Sequence, residues 1–288
     1  MRHHRIIWLS TGCIVVLAAI VVALREVRAP AVEPRQDPFG DITRELSDAQ
    51  VDVLFRTMRE CLSRDPQGVR TRTRLIVEAV ADIAEKGHRE SADAYYALAL
   101  RKVAAKDLRG AEDAYRKAIE LRPDWSWAHN GLGILLHTMS RSKEAEAEFL
   151  KAIEFDPKWS RPYNDLAILY RLTGNLEAAD AAAQKALALE PDSVATHNNY
   201  GNLLMALERY DEAEAAYRKA IDIDPDHPAP YYNLACVAAA RENREEVVPL
   251  LMVAITFDES YRQQAQVDAD FDSMREDPLF QKLMNEQD

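Results

Sequence analysis

Four prolines recur at intervals of thirty-four residues and constrain the fold of this chain more than any other feature. Their surroundings recur with them, as "AIELRPD", "AIEFDPK", "ALALEPD" and "AIDIDPD" around Pro123, Pro157, Pro191 and Pro225. A fixed period of this length is typical of a solenoid of stacked units. Because proline lacks an amide proton and blocks helix continuation, each proline is expected to follow the end of a helix.

The residues between two prolines predict a pair of helices. In the unit before Pro225, Ala213, Tyr217 and Ala220 fall on one face of a helix, while Tyr200 and Gly201 fall on a face of the helix before it. Small residues at such positions let the two helices approach closely. Each unit is therefore expected to be a helix-turn-helix.

Turn and cap residues refine this pattern. Gly174 stands between the two helices of the third unit and suits a left-handed turn. Ser126, Ser160 and Ser193 are expected to cap the helices that follow them. Pro249 falls inside the last second helix and is expected to shorten or kink it.

The spacing W-x2-L-G-x2-Y…A-x3-F-x2-A…P resembles the tetratricopeptide repeat (TPR). The second unit carries most of that spacing, with Leu132, Gly133, Ala145, Phe149, Ala152 and Pro157. The third unit departs from it at Ala183, where an aromatic residue is usual, and the fifth at Val247 and Glu259. The resemblance implies an all-α fold, an α-solenoid of stacked helix-turn-helix TPR units in a right-handed superhelix. From its own residues, the N-terminal segment 6–24 is predicted to be a transmembrane helix that precedes this solenoid.

The pattern divides the chain into consecutive segments. We predict a basic tail (1–5), a transmembrane helix (6–24), a proline-spaced linker (25–45), a helical N-terminal cap or degenerate repeat (46–90), five TPR units (92–125, 126–159, 160–193, 194–227 and a degenerate 228–261) and a C-terminal cap (262–288). The last segment, with "DADFDSMREDPLFQKLM", resembles a closing segment of bacterial TPR arrays. We expect its apolar residues to hide the last apolar face of the array, namely Phe271, Met274, Leu279, Phe280 and Leu283.

Residues 6–24 contain no charge and would span roughly 28 Å as a helix, close to the ~30 Å hydrocarbon core of a bilayer. Two alternatives remain open: a signal peptide cleaved after Ala23, and a lipoprotein signal at Cys13. The apolar run is longer than a secretory core of roughly 7–15 residues, which favours an uncleaved anchor. We predict a single-pass membrane protein with its bulk outside the cytoplasm, on the periplasmic side if the source is bacterial.

Composition excludes several classes of function. The formal net charge of −12 argues against nucleic acid as a partner. Three cysteines without a C-x-x-C spacing argue against zinc or redox chemistry. The H-E-x-x-H, P-loop and G-x-S-x-G motifs are absent from the sequence. We therefore predict a protein that is not an enzyme, with no cofactor and no catalytic or metal-binding residues. His129 and His197 are interpreted as packing residues.

The TPR resemblance implies that the first helix of each unit lines a concave groove. At its groove-lining positions this chain repeatedly carries asparagine, whose amide both donates and accepts hydrogen bonds and could hold a peptide backbone. The opposing interpretation is that asparagine is simply common at these positions in the family. The predicted partner-binding residues are Trp127, Asn130, Arg161, Asn164, Asp165, Arg171, Asn198, Asn199, Asn202 and Asn233.

The most direct functional prediction is a membrane-tethered scaffold that binds a peptide or partner protein in this groove. One alternative is a pilus or envelope assembly factor of the TPR-lipoprotein type, because "HNNYG" resembles such proteins. Another, of a different class, is an enzyme with an unrecognised site in residues 46–90.

Overall fold

The computed structural model describes residues 48–64, 71–85 and 90–285, and every structural statement below refers to these. The predicted transmembrane segment, residues 6–24, lies outside them. Within the described residues, no helix is both long enough and apolar enough to cross a membrane.

The described residues are all helical apart from their connections, with no strand among them. In chain order the helices are α1 (Asp48–Arg64), α2 (Thr71–Glu85), α3 (Ala92–Ala104), α4 (Leu108–Leu121), α5 (Ser126–Thr138), α6 (Ser142–Phe155), α7 (Ser160–Leu172), α8 (Leu176–Leu189), α9 (Val194–Ala206), α10 (Tyr210–Ile223), α11 (Pro228–Ala240), α12 (Arg244–Phe257), α13 (Ser260–Val267), a 3-10 helix (Ala269–Met274) and α14 (Pro278–Asn285). The chain forms two compact units, which divide inside α6 between Glu148 and Phe149. From here on, the first unit and the second unit are these two parts of the chain, and a single helix pair is called a repeat.

The turn inside each helix pair has one conformation that repeats along the chain. After each left-handed residue, the next amide donates back to the carbonyl five residues earlier, as Asn175 N does to Tyr170 O at 2.9 Å. This is the hydrogen bond that closes a helix in the Schellman arrangement. The left-handed residues stand thirty-four apart, at Lys106, Ser140, Gly174, Glu208 and Glu242. The expected left-handed turn at Gly174 is therefore confirmed, and the four other positions adopt the same turn without glycine.

In the first unit, α1 to α5 pack against one another in sequence order. The helices α1 and α2 lie within residues 46–90, where the sequence predicts a helical cap or degenerate repeat, and they are joined to α3 by ion pairs. Arg59 Nη1 lies 2.5 Å from Asp93 Oδ1, and Arg101 Nη1 lies 2.6 Å from Asp82 Oδ1. The buried Asp93 is also bound by Arg122 at 2.7 Å, so two guanidinium groups offset the burial of its charge.

In the second unit, α7 to α12 pack in sequence order, and α9 also contacts the first helices on either side, α7 and α11. The helix α8 ends at Leu189 and α10 at Ile223, two residues before Pro191 and Pro225. The prediction that these prolines follow helix ends is confirmed. The contacts among α7, α9 and α11 place the first helices of three successive repeats side by side.

The closing segment covers the end of the second unit. The 3-10 helix packs on α11, while α13 and α14 pack on α12. Phe271, Met274, Phe280 and Leu283 are buried as predicted, but Leu279 is 65% exposed. Leu279 precedes Phe280 in the first turn of α14, so the two side chains leave the helix in different directions. The prediction of burial is wrong for this one residue.

The cap prediction holds for one of the three serines and is corrected for the other two. Ser193 caps α9 by accepting from Thr196 N at 3.3 Å, but Ser126 and Ser160 are the first residues of α5 and α7 rather than their caps. In helical conformation, Ser160 instead donates to Glu190 Oε2 at 2.5 Å.

Pro249 does not shorten α12, which has fourteen residues, as α10 does. As the sixth residue of the helix, it removes one amide donor, while Leu251, Ala254 and Ile255 farther along the helix are buried. The burial of those side chains stabilises the helix against the local loss.

Candidate functional site

Asparagines on the first helices of the second unit pair with one another across successive repeats. Asn199 Nδ2 on α9 donates to Asn164 Oδ1 on α7 at 3.1 Å. Asn233 Nδ2 on α11 donates to Asn198 Oδ1 on α9 at 2.8 Å. Each pair joins the fifth residue of one first helix to the sixth residue of the next. We call the side of α7, α9 and α11 that carries these residues and Asn202 the amide face.

The pairing leaves each amide with hydrogen-bonding capacity. A primary amide has two N–H donors and an oxygen with two lone pairs, and each pair uses one donor and one lone pair. In the first pair, both N–H groups of Asn164 and the oxygen of Asn199 have no partner among the described residues, and Asn198 and Asn233 repeat this arrangement. All four side chains are partly exposed. The amide face therefore offers donors and acceptors that are already oriented.

Asn202 is held by a different partner. Tyr217 on α10 donates its hydroxyl hydrogen to Asn202 Oδ1 at 2.7 Å, and the Tyr217 side chain is fully buried. Its ring lies directly against Gly201, so that a Cβ atom at Gly201 would stand 2.4 Å from Tyr217 Cε1. Burial raises the pKa of Tyr217, which keeps the phenol protonated and able to donate.

A third pair continues the row into the closing segment, and sequence analysis did not identify it. Tyr232 occupies the fifth position of α11, where Asn164 and Asn198 stand in the two preceding repeats. Its hydroxyl donates to Asp268 Oδ2 at 2.6 Å. Burial and this hydrogen bond both raise the pKa of Tyr232. The separation of 36 residues, close to the 35 of the asparagine pairs, was the available signal in the sequence.

The predicted charged residues of this face differ in their surroundings. Arg161 Nε lies 3.7 Å from Asp165 Oδ2, one helical turn away on α7. Arg171, near the end of the same helix, is partly exposed, and its guanidinium makes no ion pair or hydrogen bond with another described residue. Arg171 is therefore the cation of this face that is available to a ligand.

Trp127 and Asn130 belong to the first unit, on α5, while the other eight predicted residues belong to the second unit. Trp127 is partly exposed, whereas Asn130 is 2% exposed. The neighbouring His129 is buried, with Nδ1 2.6 Å from Glu148 Oε2 and Nε2 2.9 Å from the Pro123 carbonyl. These contacts agree with the interpretation of His129 as a packing residue.

One group of potential metal ligands occurs in the part of the chain that the structure describes. Cys236 Sγ and carboxylate oxygens of Asp268 and Asp270 lie within 4.8 Å of one another. Burial raises the pKa of the Cys236 thiol, and the two aspartates raise it further. Asp268 also accepts from the Tyr232 hydroxyl. The group is accounted for as the hydrogen-bonded contact between α11 and the closing segment, and its thiol is protonated.

Helix pairs that repeat every thirty-four residues, with a left-handed turn inside each pair, define an α-helical repeat protein. Four family models identify the repeats. Three models described as tetratricopeptide repeat match residues 96–158, 160–193 and 182–215, and one described as TPR repeat matches residues 201–238. These parts of the chain are tetratricopeptide repeats.

Solved structures share the fold at low sequence identity. Pseudomonas aeruginosa pilF matches 78% of this chain and 97% of its own at 19% identity, with a TM-score of 0.56. TTC0263, a thermophilic TPR protein of Thermus thermophilus, matches 61% of this chain and 97% of its own at 18% identity, with a TM-score of 0.55. These similarities support the fold alone. No curated protein matches the sequence.

Proposed function

We propose that this protein is a non-enzymatic scaffold that binds an extended segment of a partner protein on its amide face. The two asparagine pairs are the observation that carries the proposal. They fix the amides in place and leave donors and acceptors that complement the N–H and C=O groups of a peptide backbone. Because the paired asparagine side chains are already ordered in the folded protein, binding costs less conformational entropy than it would with freely rotating side chains. The net charge of −12 favours protein over nucleic acid as the partner.

Isosteric substitutions separate a binding role from a structural one. In Asn164→Asp with Asn198→Asp, each carboxylate still accepts the hydrogen bond from the paired asparagine, but the outward N–H donors are lost. Asn175→Asp with Asn243→Asp is the matched control, because it adds the same charge at the residues that precede α8 and α12. Both double variants should fold and melt close to the parent protein.

The full-length protein, in detergent, would be used to select linear peptides from a random display library, and the affinity of a selected peptide would be measured for each variant. Each lost hydrogen bond weakens binding by about 0.5–1.5 kcal/mol, so the Asn164 and Asn198 double variant should bind roughly five- to a hundredfold more weakly. The control should bind within about twofold of the parent, since its changes lie away from the amide face. Equal affinity in both double variants would refute the amide face as the binding site.

We further propose that residues 6–24 anchor the scaffold in a membrane, with the repeats on the extracytoplasmic side. The proposal rests on nineteen uncharged residues preceded by Arg2 and Arg5. The full-length protein should stay with membranes after an alkaline carbonate wash. A soluble mature protein beginning near Leu24 would refute the anchor, as would a diacylglyceryl group on Cys13.

A role in pilus or envelope assembly stays a prediction from sequence.

A further inference from the structure

The amide face has opposite charges at its two ends. Arg171 is the twelfth residue of α7, the first helix of its repeat, and its guanidinium makes no ion pair or hydrogen bond with another described residue. At the other end, Asp268 and Asp270 of the closing segment lie within 4.8 Å of Cys236, which occupies the ninth position of α11. Asn202 holds that same position on α9, so the two carboxylates lie on the side of α11 that continues the amide face.

Hydrogen bonds within the closing segment, and one to α11, set the position of Asp268. The guanidinium of Arg275 donates to the carbonyls of Ala265, Gln266 and Asp268 at 3.0, 2.6 and 2.7 Å. Asp268 is fixed further by the Tyr232 hydroxyl. The aspartates are thus part of a built surface rather than of a freely moving tail.

The two charged ends act on the same central group. Burial raises the pKa of Tyr217, which bonds to Asn202 in the middle of the face, and Cys236 raises it further. Arg171 lowers this pKa and Asp270 raises it, so both side chains lie close enough to influence one phenol. A ligand lying over Asn202 would experience both fields.

We propose that the segment bound on the amide face is held in one direction, with an acidic side chain at Arg171 and a basic side chain at Asp268 and Asp270. This inference rests on the proposed function and adds the charge order of the partner to it. Backbone hydrogen bonds to amides accept either chain direction, whereas an acidic and a basic contact at opposite ends favour one.

The spacing of the two charges follows from helix packing. Arg171 on α7 and the aspartates against α11 are separated by about two interhelical distances of 8–10 Å, or roughly 16–20 Å. An extended chain rises ~3.3 Å per residue and covers this distance in about five or six residues. The partner segment should therefore carry an acidic and a basic residue about five or six positions apart, always in the same order.

The test is the peptide selection described above, repeated with three forms of the full-length protein and one control variant. These are the parent, Asp270→Lys, and the charge swap Arg171→Glu with Asp270→Lys, which preserves the net charge. Arg244→Glu with Asp222→Lys is the matched control swap, at positions on α12 and α10 that are not buried. Circular dichroism melting of each variant confirms folding.

The parent and the control swap should select peptides with the same charge order and spacing. The peptides selected by Asp270→Lys should no longer carry the basic residue but should keep the acidic one. A peptide selected by the parent should bind this variant about two- to thirtyfold more weakly, as expected for reversal of an exposed ion pair. The Arg171 and Asp270 swap should select the reverse order. Added salt should reduce all these differences.

Peptides that lose affinity for the Asn164 and Asn198 double variant but show no charge order would overturn this inference and leave the proposed function standing. A charge order unchanged by the Arg171 and Asp270 swap would do the same. Failure to select any peptide sensitive to the asparagine substitutions would overturn the proposed function, and this inference with it.

Discussion

Substitution of Gly201 by alanine tests how closely α9 and α10 approach. A Cβ atom at Gly201 would stand 2.4 Å from Cε1 and 2.7 Å from Cδ1 and Cζ of Tyr217. The Tyr217 ring is 1% exposed, and its hydroxyl is bound to Asn202. The ring therefore has no solvent-facing side into which it can move without disturbing its neighbours.

One stabilising effect and two destabilising effects decide the outcome. Alanine in place of glycine in a helix interior stabilises by about 0.8–1 kcal/mol. Overpacking against a buried ring costs about 1–3 kcal/mol. Displacement of the ring would also weaken the hydrogen bond to Asn202, which contributes about 0.5–1.5 kcal/mol. We expect Gly201→Ala to lower the free energy of unfolding by about 1–3 kcal/mol, since contacts below 3.0 Å cannot be relieved by small shifts.

Urea unfolding followed by far-ultraviolet circular dichroism measures this change. Tyr217→Leu provides the second side of a double-mutant cycle, because it removes the ring that the new methyl group would meet. In that background the Gly201 substitution should cost less or become stabilising. Gly131→Ala in the first unit tests a different close approach, that of α5 to α4, where the nearest atom is Tyr115 Cε1 at 2.7 Å, and it should be milder. If Gly201→Ala alone matches or exceeds the parent in stability, the close approach of the two helices is refuted.

Three further outcomes follow from the structure. Tyr232→Phe removes the hydrogen bond to Asp268 and should destabilise the closing segment by about 0.5–1.5 kcal/mol, seen as faster proteolytic cleavage there; an unchanged cleavage rate would mean that this bond contributes nothing. For Glu112, hydrogen bonds from arginine outweigh the opposing effect of burial and lower the pKa below its ordinary 4.5. Its stabilising contribution is therefore present above pH 4.5 and is lost as the pH falls through the lower pKa of the folded state. Because Arg141 donates one of these hydrogen bonds, Arg141→Met should flatten the acid limb of a curve of unfolding free energy against pH. Parallel curves for the parent and the variant would contradict this. Burial raises the pKa of Cys236, so iodoacetamide should alkylate it only on unfolding, as mass spectrometry of native and denatured protein would reveal; rapid native labelling would contradict its position in the core.

The sequence by itself determined the features that depend on local chemistry and periodicity. Pro191 and Pro225 follow helix ends because proline lacks an amide donor and clashes with the preceding turn, which strongly disfavours the interior of a helix. Gly174 marks the turn because glycine adopts the left-handed conformation without a steric cost, and that preference is local to the residue. The all-helical repeat fold follows from these signals and from the spacing of Ala213, Tyr217 and Ala220.

The local sequence was a weaker guide where two possible helix boundaries differ by one residue or one hydrogen bond. Ser126 and Ser160 suit a cap, yet each is the first residue of a helix that begins one position earlier than expected. Pro249 suits a helix end, yet α12 continues through it, because the side chains beyond it are buried. A helix end can shift by one residue without a distinct local signal, and at Pro249 the burial of the side chains farther along the helix outweighs the lost hydrogen bond.

The partners of the amides were decided only by the tertiary structure. The TPR resemblance predicts groove positions for Asn164, Asn198, Asn199 and Asn233 but identifies no partner for them. Their pairing depends on the displacement and rotation between successive repeats, which set whether the fifth residue of one helix meets the sixth residue of the next. Those quantities arise from the packing of whole helices.

Tyr232 and Asp268 illustrate the same limit. A phenol and a carboxylate share no residue type with the asparagine pairs, so their separation of 36 residues was the available signal that connected them. The closing segment nevertheless folds against α11 and brings the two together at 2.6 Å. The positions of the asparagines along the helices are thus encoded locally. Their contacts follow from the packing of successive repeats, and the carboxylates at the end of the amide face are placed by the packing of the closing segment.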